Sequence, residues 1–206
     1  MLRIGVPLAW MVLYLALAIL LPRFTLYTQL IFYVGLIVWF RRDFSMPQFL
    51  RGIGNVRYLI GVLLTAAGLY LCYQLTDLLS EKIFMTTAEG TISVVYYTTF
   101  ELLLFSLSTI FLMPIAEELF FRKAMVCMTE GMGFFLLTAC VSTLLYALSQ
   151  AHGWLGVMEY LIIGLPLLLS YVLTRNIYVP ILAHMIVLLI IKVPNIVYDL
   201  ARMMLR

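Results

Sequence analysis

Residues 58–79, YLIGVLLTAAGLYLCYQLTDLL, decide the fold. The run carries one charged side chain, Asp77, close to its end. A helix needs about 20 predominantly apolar residues to cross the hydrocarbon core of a bilayer, and this run supplies them. The other spanning architecture, a closed barrel, would show short strands alternating in hydropathy. Long continuous runs of Leu, Ile and Val exclude it.

Working outward, comparable segments run from Ile4 to Leu21, from beyond Pro22-Arg23 to Phe40, and from Ile92 up to Pro114. Three more run over Phe134–Ser149, Leu155–Leu173 and Val179–Val197. Of the 206 residues 65% are hydrophobic and 11% charged, where a soluble domain keeps roughly a quarter charged. The sequence therefore predicts an all-α, polytopic transmembrane helix bundle with about seven spans. No internal repeat or linker divides it, so residues 1–206 form a single transmembrane domain.

The net charge of +3 carries no signal for nucleic acid. Cys72, Cys127 and Cys140 lack a CxxC spacing and read as small core residues. The stretch after Arg3 spans without an A-x-A-like cleavage site, which predicts a retained first helix. Trp10, Trp39 and Trp154 read as interfacial anchors.

Basic residues set the orientation. Arg41, Arg42, Arg51 and Arg57 stand against Asp43 between the second and third segments. Lys and Arg collect in cytoplasmic loops, so this loop and the N-terminus are expected in the cytoplasm. Arg175 then falls on the same side and Arg202 and Arg206 on the other. The expected location is a bacterial plasma membrane.

Ionisable groups inside a membrane cost several kcal/mol each and mark function by default. Residues 113–122, MPIAEELFFR, hold Glu117, Glu118 and Arg122 in an apolar run. Glu118 and Arg122 are four apart and share a helical face, where they can form a charge-assisted pair. Glu117 lies about 100° round the helix from Glu118. One carboxylate is then free to act as a general base while the other holds the scaffold; a helix end at the membrane surface is the other reading of the same spacing. The two histidines, His152 and His184, fall at the end of the fifth segment and early in the seventh. On facing helices they could join the carboxylates around a water or a metal. Glu101, Glu159 and Lys192 also lie in apolar surroundings, and Lys192 reads as a snorkelling side chain.

Glu117-Glu118-x-x-x-Arg122, followed by His152 and then His184, resembles the CPBP family of intramembrane proteases, also called the Abi or CAAX-protease family. The resemblance covers residues 102–197. That family includes type II CAAX prenyl endopeptidases and bacterial proteins linked to bacteriocin processing and immunity. It implies Glu117 as the base that activates water, His152 as a holder of that water or of a metal, and His184 as a ligand or oxyanion stabiliser. Glu118 and Arg122 would support the site. A divalent metal such as zinc, held by Glu117, His152 and His184, and a metal-free glutamate mechanism are both compatible with the motifs. No HExxH is present.

Two positions depart from the family pattern. Leu148 stands four before His152, where the family usually has Phe. Leu188 stands four after His184, where the family usually has Asn or another polar residue. Losing an oxyanion donor there would cost on the order of 100-fold in rate. Counting spans also puts Glu117 and His152 at different depths. Either Pro114 and Gly131-Met-Gly133 let Ile115–Glu130 re-enter the bilayer, or the segment boundaries shift.

The function expected is hydrolysis of a peptide bond in a lipidated or membrane-associated peptide. The alternative is a non-catalytic relative that binds a membrane-protein partner as a regulatory or immunity factor. A small transporter would show repeat symmetry or recurring pore-facing polar residues, and the sequence has neither. GxGD and GxSG motifs, the marks of aspartyl and rhomboid-like serine sites, are also lacking.

Overall fold

The computed structural model describes residues 2–80, 94, 96–151 and 153–205. Its elements are α1 (Leu2–Leu20), a 3₁₀ turn at Pro22–Phe24, α2 (Thr25–Trp39), α3 (Met46–Ile53) and α4 (Val56–Leu79). After the segment containing Glu81, Lys82, Glu89 and Ile92, which lies outside the described residues, come α5 (Thr99–Ala124), α6 (Met132–Gln150), α7 (Trp154–Thr174) and α8 (Tyr178–Met204). Among the described residues every element is helical, and six helices are long and apolar enough to cross a membrane. The chain is an integral membrane protein with an all-α polytopic bundle. The remaining apolar helix, α2, is a 15-residue helix. At about 1.5 Å per residue it falls short of a full crossing.

Outward faces are apolar because lipid is their solvent: Leu20, Leu63, Leu64, Leu137 and Leu173 are among many large exposed hydrophobics. In such a molecule an apolar residue need not be a core residue. Cys140 is exposed, and Cys72 and Cys127 are only partly buried, so the cysteines are not the core residues that the sequence predicts; all three are free thiols. Trp10 departs in the other direction. It lies mid-helix on α1, where a Cβ at Gly35 would meet its ring at 1.8 Å. Glycine is required there for α1 and α2 to close on each other.

The basic loop is tied to the start of α8. Ser45 N–H donates to Tyr178 Oη at 2.8 Å, and Tyr178 Oη donates to Gln48 Oε1 at 3.3 Å. Tyr58 Oη donates to the Tyr178 carbonyl at 3.0 Å, and Phe44, Phe49 and Tyr178 pack edge to face or tilted around one another. Arg3 pairs with Asp43, and Lys123 and Arg175 share a cavity with Asp43 and Tyr178. One end of the bundle thus gathers the Arg41–Arg57 loop with Arg3, Lys123 and Arg175. Asp77, Glu159 and Asp199 belong to the opposite end, where α4 and α8 finish and α7 starts.

The charged cluster of Glu117, Glu118 and Arg122 occupies the last two turns of α5 and is buried there. Helix α5 continues through Pro114 to Ala124, and no break occurs at Ile115. Pro114 has no N–H to give to the preceding turn, and the helix adapts by widening. Ser108–Leu112 is a π-helical turn in which Met113 N–H reaches back to the Ser108 carbonyl, and Glu118–Ala124 is a second one. Between them Met113–Glu117 is ordinary α-helix. Inserted π turns of this kind occur frequently at functional sites.

Candidate active site

Helices α5 and α6 run antiparallel. Cys127 N–H donates to Thr138 Oγ1 at 3.2 Å, Ser142 Oγ donates to the Phe121 carbonyl, and Gln150 Nε2 donates to Glu117 Oε1. The last turn of α6 therefore lies level with Glu117; His152, the other residue of the depth mismatch expected from the sequence, lies outside the described residues.

Glu117 is 1% exposed. Its Oε1 accepts from Gln150 and from Tyr33 Oη at 3.2 Å, and Tyr33 Oη accepts from Gln29 Nε2 at 3.4 Å. Its Oε2 has no partner. One oxygen is thus anchored by helices α2 and α6, and the other is uncommitted.

Glu118 faces a different set. Its Oε2 lies 3.4 Å from Arg122 Nε and its Oε1 lies 3.5 Å from His184 Nδ1, and all three side chains are fully buried. Arg122 also donates through Nη2 to the Gly164 carbonyl at 3.3 Å and lies 4.4 Å above the Tyr146 ring. Gly164 leaves room for this: a Cβ there would meet Thr143 and Tyr146 at 3.1 Å. The guanidinium is held by a carboxylate, a carbonyl and a π face, an arrangement suited to its planar fork.

Glu117, Glu118, Arg122 and His184 are brought into one buried region. The carboxylate in contact with His184 is that of Glu118. His152 lies outside the described residues; Gln150, two residues earlier in the chain, reaches Glu117. Among the described residues no group of three His, Cys, Asp or Glu side chains is arranged to hold a metal. Glu118 is already engaged with Arg122, and the expected ligand set depends on His152.

Above Glu117 opens a cavity of about 390 Å³, within the range of about 300–1,000 Å³ found for ligand sites. Phe105, Thr109 and Met113 line one wall, spaced four apart along α5, and Glu117 continues that stripe one turn deeper. On α8 the stripe is Leu188, Ile191 and Lys192, with His184 one turn below Leu188. Gln29 and Gln150 lie at the inner end beside Glu117, and Asp77 and Glu159 belong to the other walls. Lys192 faces this cavity, shared with two carboxylates, and not the lipid surface where a snorkelling side chain would sit. Leu188, 1% exposed, presents an apolar wall where the family has a polar group. Glu159 accepts from Ser80 Oγ. Glu101 is a helix cap instead, closing a reciprocal box with Thr98 and accepting from Tyr27 Oη at 2.9 Å.

Sequence reading missed Tyr33, Gln29 and Gln150. Tyr33 and Gln29 share a face of α2, four apart, and a glutamine in an apolar helix was the available signal. Gln150 was hidden by its proximity to His152.

Fold and site together define a polytopic membrane protein with a buried glutamate bonded to Gln150, a residue of the cavity wall. Residues 99–190, a little under half of the chain, match the family model for type II CAAX prenyl endopeptidase Rce1-like proteins. Over these residues the chain is similar to that family, which supports the CPBP, or CAAX-protease, resemblance read from the motifs. The matched region contains Glu117, Glu118, Arg122, His152 and His184. No curated protein and no solved structure matches the chain.

Proposed function

We propose that this protein is an intramembrane endopeptidase that hydrolyses a peptide bond in a lipidated or membrane-associated peptide, with Glu117 as the general base. The observation that carries this reading is the division of labour between adjacent carboxylates. Glu117 has one oxygen fixed by Tyr33 and by Gln150, which lines the cavity, and the other buried without a partner. Glu118 differs in standing at ion-pair distance from Arg122 and His184, though without a hydrogen bond to either.

In this mechanism Glu117 Oε2 takes a proton from a water as the water's oxygen attacks the scissile carbonyl. The tetrahedral oxyanion is stabilised by N–H donors, for which His152 and His184 are the candidates. Glu118 sets the ring of His184 and keeps Arg122 in place. The proton carried by Glu117 then passes to the leaving amine. A divalent metal held by Glu117, His152 and His184 would supply Lewis acidity to the same attack. Exhaustive chelation separates the two forms: loss of activity restored by added zinc assigns the metal, and full retention assigns the metal-free mechanism.

The second reading, a family member that binds a membrane protein without cleaving it, is favoured by Leu188. The deciding experiment is cleavage of candidate membrane peptides, prenylated peptides included, by purified protein beside Glu117→Ala and His184→Ala. Loss of cleavage in both variants supports the protease. A biological activity that survives Glu117→Ala supports the binding factor.

A further inference from the structure

The cavity above Glu117 has polar groups that the bundle itself leaves unanswered. Gln29 is 7% exposed and Thr109 5%, both line the cavity, and neither Gln29 Oε1 nor Thr109 Oγ1 has a partner. Thr109 and Ser108 depart from most hydroxyls of the bundle in this respect, and of the two only Thr109 lines the cavity. Thr65, Ser106, Thr143 and Thr174 each return the hydroxyl to the carbonyl four residues back, at 2.6–2.9 Å. That is the ordinary solution for a hydroxyl in an apolar helix. Thr109 belongs to the π turn before Pro114 and makes no such bond.

A buried polar atom without a partner costs roughly 1–3 kcal/mol and calls for an explanation. Here two lie on the packed helices α2 and α5, both lining one cavity. One is an acceptor, and the other can donate or accept. A peptide main chain offers the complement, an N–H and a C=O in every residue.

We propose that this cavity is the cleft for an extended peptide segment, whose main chain is held by Gln29 Oε1 accepting an N–H and Thr109 Oγ1 donating to a carbonyl. Phe105 and Lys192 form its outer part, where a second cavity of about 330 Å³ shares both residues. Met113 and Leu188 provide apolar walls near the floor. The segment is thereby directed towards Glu117. This assignment rests on the endopeptidase reading for its purpose. It also makes α2, which precedes the family-matched residues, part of the binding site.

The test measures binding apart from cleavage. Full-length E117Q protein in detergent is titrated with a panel of capped hydrophobic tetrapeptides and with the same peptides N-methylated along the backbone, binding being read as saturable thermal stabilisation. The expected result is stabilisation by the unmodified peptides, weakened about tenfold by N-methylation and by T109V. T109S restores it, and Q29M weakens it. Equal binding to wild-type and variant side chains, or no stabilisation by any peptide (a solvent-filled vestibule only), overturns the cleft. Dependent binding without cleavage by unmodified protein keeps the cleft and removes the protease, whereas cleavage untouched by T109V and Q29M does the reverse.

Discussion

The side-chain amide of Gln150 donates to Oε1 of Glu117, joining the last turn of one membrane helix to its antiparallel neighbour about two turns before that helix ends. That bond, with the one from Tyr33, fixes which oxygen of Glu117 is free. Replacing Gln150 by Leu removes a donor to a buried carboxylate. A hydrogen bond to a charged group contributes about 1.5–3 kcal/mol, so peptide cleavage should fall roughly ten- to a hundredfold with the bundle still folded. Tyr33→Phe should behave similarly, and Glu117→Gln should abolish turnover. Rates in Q150L equal to wild type would remove the positioning role.

Glu118 and Arg122 predict a different phenotype. Both side chains are fully buried, and removing one partner of such a pair leaves an uncompensated charge, at a cost of about 3–5 kcal/mol. Glu118→Gln and Arg122→Met should each lower the melting temperature in detergent markedly. The double variant should be less destabilised than the sum, because neither charge is then stranded. Arg122→Lys should not rescue, since lysine cannot serve Glu118, the Gly164 carbonyl and the Tyr146 face together. Strictly additive melting shifts would show that the pair is not coupled.

Leu188 offers a gain of function. It lies one turn beyond His184 on α8 and lines the cavity. If the proposed chemistry lacks a donor for the oxyanion, Leu188→Asn should raise the cleavage rate, by up to about 100-fold. Stability should fall slightly, since a polar group replaces a buried leucine. An unchanged rate at full folding would mean that the oxyanion is served from elsewhere.

The fold was legible because one solvent imposes one pattern. Apolar length alone marks the spans, and each of the seven apolar segments holds a helix, the fourth starting at Thr99 and not at Ile92. The i, i+4 spacing of Glu118 and Arg122 likewise gave their contact, which persists within the π turn over Glu118–Ala124. What failed depended on particular local exceptions. Proline normally ends a helix, but at Pro114 the π turn absorbs it, and the supposed boundary moved the depth of Glu117 with it. Tyr33, Gln29 and Gln150 carry no motif; their importance comes from where three helices meet. Lys192 could not be assigned to cavity or lipid without knowing how α8 is turned, because its long side chain suits both.

Orientation gives the last prediction, and it bears on where substrate comes from. Arg3, Arg41, Arg42, Arg57, Lys123 and Arg175 lie at one end of the bundle, while Asp77, Glu159 and Asp199 mark the other. Basic residues are retained in the cytoplasm, so the Asp199 end should face away from it. The cavities over Glu117 are lined by residues of that second end, which predicts entry of peptide from the extracytoplasmic side. In a variant with Cys72, Cys127 and Cys140 replaced by Ser or Ala, single cysteines at Arg42 and Arg202 report the two ends. A membrane-impermeant maleimide added to intact bacterial cells should label R202C and spare R42C until the membrane is opened. The reverse pattern would place the basic end outside and turn the cavity towards the cytoplasm.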